Sequence, residues 1–221
     1  MGNYTFQWRQ AFRALPQMLD GALVTMQIAI LSMLIGVTIA VLLAVARNSK
    51  NRWISAPATA WVEVARNTPA LFQIYMAHFG LGSFGIYLSP FTALLAGIAF
   101  NNAGYLCETF RGSLRAIPPT QTRAGLSLGM GPVKAFRLIV MPQMFRIAFL
   151  PTMNQMVWAI LMTSLGVTVG MSTDLTGVTQ DLNARTFRTF EFFALAAVIY
   201  YLITKAVMLG ARAVAWRLFR Y

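Results

Sequence analysis

Apolar residues along the chain gather into long runs separated by short polar links. Residues 22–46 form the first run and carry no charge. A helix needs about 20 mostly apolar residues to cross ~30 Å of hydrocarbon, and this run exceeds that. Residues 69–88 form a second, interrupted by Gln73, His78 and several glycines. Residues 90–107 form a third, with Asn101 and Asn102 inside it, and residues 149–169 a fourth, with Asn154, Gln155, Thr163 and Ser164. Residues 192–209 form the fifth, with Lys205 near its end. This pattern predicts an all-α integral membrane protein of about five transmembrane helices, built as a single domain over residues 1–221. Residues 8–19 alternate polar and apolar positions around Arg9 and Arg13. They read as a surface helix within an outer interfacial segment, residues 1–21, or equally as a frayed end.

The composition supports lipid as the solvent. The chain is 57% hydrophobic and only 11% charged, and its mean hydropathy is +0.60. Soluble domains carry about 25% charged residues. The net charge of +12 fits either nucleic acid or a membrane surface, and the placement of the charges decides between them. Arg47, Lys50, Arg52 and Arg66 stand against Glu63 in the first link. Arg111, Arg115, Arg123, Lys134, Arg137 and Arg146 stand in the third link without an acid. Residues 82–90 are uncharged, and residues 171–191 mix Asp174, Asp181 and Glu191 with Arg185 and Arg188. Arg212, Arg217 and Arg220 end the chain. The excess alternates from link to link, which places the first link, the third link and the C-terminus in the cytoplasm and the N-terminus outside. A nucleic-acid face needs no such alternation, so no nucleic-acid partner is expected. Trp53, Trp61, Trp216 and Tyr221 flank the runs and read as anchors at the lipid interface.

Catalysis finds little support. Cys107 is the single cysteine and reads as a packing residue. The one histidine, His78, cannot make a metal site alone, and no His/Cys/Asp/Glu cluster has metal spacing. There is no phosphate-binding GxxxxGK[ST] stretch. The N-terminus lacks signal-peptide order. Its Met1-Gly2 is followed by Phe6 where a myristoylation signal has Ser or Thr.

The cytoplasmic region 111–148 holds the least expected stretch, QTRAGLSLGMGPVKAFRLIVMPQ. It starts as a short helix, breaks at Gly129-Met130-Gly131-Pro132, and restarts. Glycine permits backbone angles that other residues resist, and Pro132 suits a first helical turn. Two short helices meeting at a tight joint make a knob that fits a groove on another protein. An ordinary amphipathic loop has the same composition.

Several motifs taken together resemble those of ABC importer permeases. Arg123-Ala124-Gly125, then Gly129, then Met141-Pro142 is similar to the family's Glu-Ala-Ala, Gly and Leu-Pro loop. Tyr105 to Gly112 resembles its aromatic-x-x-Glu-x-x-Arg-Gly run. Arg66-Asn67-Thr68-Pro69 resembles its Arg-Gly-Thr-Pro, and Thr163-Ser164-Leu165 its Asp-Thr-Ser-Leu. The order covers nearly the whole chain, and the polar amino acid permeases are the most similar subgroup. The resemblance implies a pore subunit of an ATP-driven amino acid importer in the bacterial inner membrane, with alternating access. It implies a cytoplasmic ATPase dimer carrying ATP and Mg, a soluble substrate-binding protein, and no cofactor on this chain. The coupling residues are then Arg123, Ala124, Gly125, Gly129, Pro132 and Pro142. Arg123 reverses the charge of the family's loop glutamate, and Met162 replaces its aspartate. Both changes favour a heterodimer with a sister permease over a homodimer.

Polar groups within lipid are costly unless paired or facing a cavity. Asn101, Asn102, Trp158, Met162, Thr163 and Ser164 are therefore candidates for the substrate pathway, and helix-to-helix hydrogen bonding is the competing use. Trp158 and Met162 share a helix face by their spacing of four. Glu108 and Arg111, three apart, read as a structural pair. A gradient-driven carrier or channel for a small polar solute is the alternative function. It tends to hold ionisable groups within its spans, and only His78, Glu108 and Lys205 qualify. A membrane scaffold that moves nothing is a third reading.

Overall fold

The computed structural model describes residues 5–219; the expected positions Met1, Gly2, Arg220 and Tyr221 lie outside them. All regular structure among the described residues is helical. A short helix α1 (Trp8–Arg13) leads into α2 (Leu15–Arg47), with Pro16 in its first turn. At 1.5 Å per residue, α2 is about 50 Å long. It starts seven residues before the expected run, because Pro16 is tolerated at a helix start. Along with α10 (Thr189–Leu218), it is long and apolar enough by itself to cross a membrane.

The first link is not a loop. Residues Arg52–Asn67 form α3, whose start is capped by Asn51 Oδ1 accepting from Trp53 N at 2.9 Å. Its apolar face, Ala58, Val62 and Ala65, is buried, and it ends at Thr68 because Pro69 pushes the preceding residue out of the helical region. Trp61 packs on Phe100, with ring centroids 4.7 Å apart, and so serves the core rather than a free interface.

The second expected span is a composite. Helix α4 (Ala70–Tyr75) loosens into a π-helical turn (Met76–Gly80) and a 3-10 turn (Leu81–Phe84), which closes at Gly85 with φ +80°. Helix α5 (Pro90–Arg115) continues well past the expected end at residue 107. Then come α6 (Pro119–Ser127), α7 (Pro132–Ala135), a second π-helical turn (Phe136–Val140) and α8 (Met141–Met162). A 3-10 segment (Thr163–Val169) and α9 (Leu175–Thr186) lead into α10.

Helices α2 and α5 form the most extensive pairing, and α5 also carries α3, α4 and α8. Where lipid surrounds a helix pair, close packing and interhelical hydrogen bonds replace burial from water as the driving force. Small residues allow the approach. A side chain at Gly104 would meet Ala65 Cβ at 2.5 Å, and one at Gly36 would meet Asn102 Cβ at 2.7 Å. The main core gathers Ile28, Met33, Ile74, Leu94, Ile98, Leu106 and Ile160. A second core of Met18, Leu175, Phe192 and Ile199 closes the end that carries α9.

Candidate functional site

The two adjacent asparagines of α5 point to different neighbours. Asn101 Nδ2 donates to Ala65 O and to Gln73 Oε1, both at 3.1 Å. Gln73 Nε2 in turn donates to Ala65 O at 3.0 Å and to Thr68 Oγ1 at 2.9 Å. These bonds brace the joint between α3 and α4, where the backbone carbonyls of a helix end need donors. Asn102 is fully buried, and its Oδ1 accepts from Gln155 Nε2 of α8 at 2.9 Å. Its Nδ2 has no hydrogen-bond partner among the described residues. Asn102 thus stands where α2, α5 and α8 converge, with an unused donor in a low-dielectric interior.

The candidates on α8 and on the 3-10 segment that follows it divide by face. Asn154, Trp158 and Leu161 form an exposed stripe, with Trp158 59% exposed. Met162 and Ser164 are half-buried, and Ser164 Oγ donates to Leu161 O. Thr163 is buried; it donates to Ile160 O at 2.8 Å and lies 3.4 Å from Tyr200 OH. The structure therefore does not bring Trp158 and Thr163 to one surface. Asn154 lies on the same stripe as Trp158 at a spacing of four, and that spacing was the signal available in sequence.

Tyr200 centres a network that the sequence did not mark. Its hydroxyl lies 2.8 Å from Thr176 Oγ1. Leu175 N donates to Thr25 Oγ1 at 3.2 Å, tying α9 to α2. Asp174, fully buried, caps α9 by accepting from Thr176 N at 3.1 Å and Gly177 N at 3.3 Å. Burial pushes its carboxyl up to about 6, against the lowering effect of those two backbone donors.

At the opposite end, α6 and α7 form the expected jointed pair. Gly129 has φ +80°, the left-handed region that favours glycine, and Pro132 stands in the first turn of α7. Gly125 is buried, and a side chain there would meet Ile139 Cδ1 at 2.5 Å. Gln143 donates to Gln121 Oε1 and, at 2.8 Å, to Ile139 O, which fixes the base of the pair. Leu128 and Val133 beside the joint are 81% and 80% exposed. Arg123, Ala124 and Pro142 are exposed too, and Arg123 has no ion pair among the described residues.

Glu108 pairs with Arg111, whose Nε lies 3.2 Å from Oε1, and also with Arg47, which the spacing rule did not reach. Arg66 Nη1 stands 3.9 Å from Oε2. An apolar groove of about 660 Å³ runs along α3, α4 and α5 between Trp61, Phe72, Met76, Leu95 and Phe100. His78 Nδ1 lies 3.0 Å from Leu88 O, and Cys107 is buried in the main core. Among the described residues no group of His, Cys, Asp and Glu is placed to hold a metal.

The chain and its helical bundle are similar to known proteins in both sequence and fold. Residues 32–220 match the family described as binding-protein-dependent transport system inner membrane component. The chain belongs to that family. It is 34% identical over 207 residues to the octopine transport system permease protein OccM of Rhizobium radiobacter, covering 90% of this chain and 82% of that one. It is 31% identical over 201 residues to the glutamine transport system permease protein GlnP of Escherichia coli K12, covering 90% and 91%. A crystal structure of an amino acid ABC transporter with histidines superposes at a TM-score of 0.91, with 27% identity, over 97% of this permease and 100% of that chain. An inward-facing MetNI methionine ABC transporter shares the fold at a TM-score of 0.65 and 18% identity.

Proposed function

We propose that the chain is the pore subunit of an ATP-driven importer of amino acids in a bacterial inner membrane. Five crossings place the N-terminus outside and the knob of α6 and α7 in the cytoplasm. The observation that carries this reading is the knob itself. Leu128 and Val133 project beside a glycine joint and find no cover among the described residues. Exposed apolar anchors on a rigid turn suit insertion into a partner's groove. The partner is a cytoplasmic ATPase dimer, which binds ATP and Mg; this chain holds neither. Closure of that dimer moves the knob as a rigid body about its base, and the motion switches access to the pore.

A sister permease completes the pore, and a soluble binding protein delivers the substrate beside α9. The substrate pathway follows the exposed Asn154–Trp158 stripe of α8 and reaches Met162 and Ser164, with Asn102 behind Gln155 of the same helix. An exposed asparagine within a lipid-spanning face is costly unless it meets water, substrate or a second chain. The amino-acid substrate is carried over from the relatives named above. Purified assembly in ATP-loaded liposomes tests the reading. Uptake is expected to need internal ATP and to survive ionophores that collapse ion gradients. Uptake without ATP, or its loss on collapse of the gradients alone, contradicts it.

A further inference from the structure

The cluster around Glu108 holds more positive charge than it neutralises. Arg47, Arg66 and Arg111 all face one carboxylate. Among the described residues these arginines form no ion pair with any other acid. Glu63, one turn before Arg66, is instead bonded to Asn67 at 3.0 Å. The cluster therefore carries a net charge of two positive units. It is partly shielded from water: the side chains of Arg47 and Arg111 are 11% and 19% exposed, while Arg66 is 43% exposed and forms the open side. Arg111 Nε is buried, close to the carboxylate but without hydrogen-bond alignment, so its donor is unused. Arg66 is held over the Tyr105 ring at 5.7 Å, which fixes its guanidinium.

We infer that this cluster binds the phosphate group of an anionic phospholipid. Arginine's planar fork suits phosphate oxygens, and a partly desolvated cation gains most from a second anion. The location selects lipid as the source of the phosphate. Arg47 is the last residue of the apolar helix α2, and Arg111 lies just past the third apolar run. Both sit at the cytoplasmic boundary under the sidedness proposed above, on which this inference rests. Anionic lipids are concentrated in that leaflet, and basic pockets between helices recruit them.

The intact assembly, purified in mild detergent, is incubated with phosphatidylglycerol or phosphatidylcholine at equal concentration, and bound lipid is counted by native mass spectrometry. The wild type is expected to retain phosphatidylglycerol roughly thirty-fold better, each of the two net positive units contributing about five-fold. Arg66→Gln is expected to lower that retention about five-fold on the same scale, and Arg66→Lys to keep most of it. Glu108→Gln is expected to raise it, a change opposite in sign to general misfolding. Arg66 is the exposed member, so its variants keep the test readable if Glu108→Gln fails to fold. Equal retention of the two lipids, or no change in Arg66→Gln, overturns the inference. Complete displacement by sodium phosphate at equal concentration overturns it in favour of a free anion. Loss of a co-purifying subunit from Arg66→Gln with lipid unchanged overturns it in favour of a protein partner. The readout needs no transport, so its failure is separate from failure of the importer reading.

Discussion

The two ends of the bundle are built on opposite plans. At the end that carries α9, polar side chains are buried and satisfied within the chain. Asp174 caps α9, Thr25 receives Leu175 N, and Tyr200 lies against Thr163 and Thr176. At the end that carries α6 and α7, the fixed contacts are few and the tip is apolar and exposed. Gln121, Gln143 and the Gly125–Ile139 contact hold the base, while Leu128 and Val133 stand free beside a left-handed glycine. One end is finished by its own residues, and the other leaves an apolar tip exposed. On the proposed reading, stability belongs to the α9 end and coupling to the end that carries α6 and α7.

The contrast breaks most visibly at the knob. Leu128→Asp with Val133→Asp is expected to cut ATP-dependent uptake by about ten-fold or more, since buried anchors at interfaces are each worth about 2 kcal/mol. The thermal midpoint of the isolated chain in detergent should not move. A large fall in that midpoint would mean that these side chains serve the fold.

At the end that carries α9, acid is the sharper tool. Asp174 titrates near 3.8 when unfolded and at about 6 in the fold. Between those values the folded chain holds a proton that the unfolded chain has lost. Stability therefore falls as pH rises through that window and is flat above it. The difference amounts to roughly 3 kcal/mol at most. Thermal unfolding is expected to shift upward between pH 7.5 and 5.0. Asp174→Asn keeps a capping oxygen, raises the midpoint at pH 7.5 and removes this part of the pH dependence. An unchanged pH profile in Asp174→Asn contradicts the assignment.

Tyr200→Phe removes the hydroxyl that meets Thr176 and Thr163, and is expected to cost about 1–2 kcal/mol, read as a lower midpoint with uptake retained. Arg185→Gln breaks an exposed pair with Asp181 at 2.9 Å. It should change stability by no more than about 0.5 kcal/mol in the same melts.

Much of this plan is written in local sequence. The glycine-proline joint announced the two short helices at 119–135, and the three-residue spacing announced Glu108 beside Arg111. The Asp174-Leu175-Thr176-Gly177 stretch carries a helix-capping signal in its own residues, although the charges around it mark the region as a mixed link. Helix α3 was hidden because its charges marked it as a link, although Ala58, Val62 and Ala65 already repeat at helical spacing. The divergence of Asn101 and Asn102 was not legible, since neighbours on a helix differ by about 100° and only packing tells which partner each meets. Arg47 and Arg66 reach Glu108 from distant parts of the chain, and no local rule finds such contacts.

Tagged chain drawn from its native membrane in mild detergent tests the central claim most directly. The account predicts that an ATPase co-purifies with the wild type and is lost when residues 129–132 are deleted, while the deleted chain stays in the membrane. Recovery of the ATPase with the deleted chain at the wild-type ratio would contradict it.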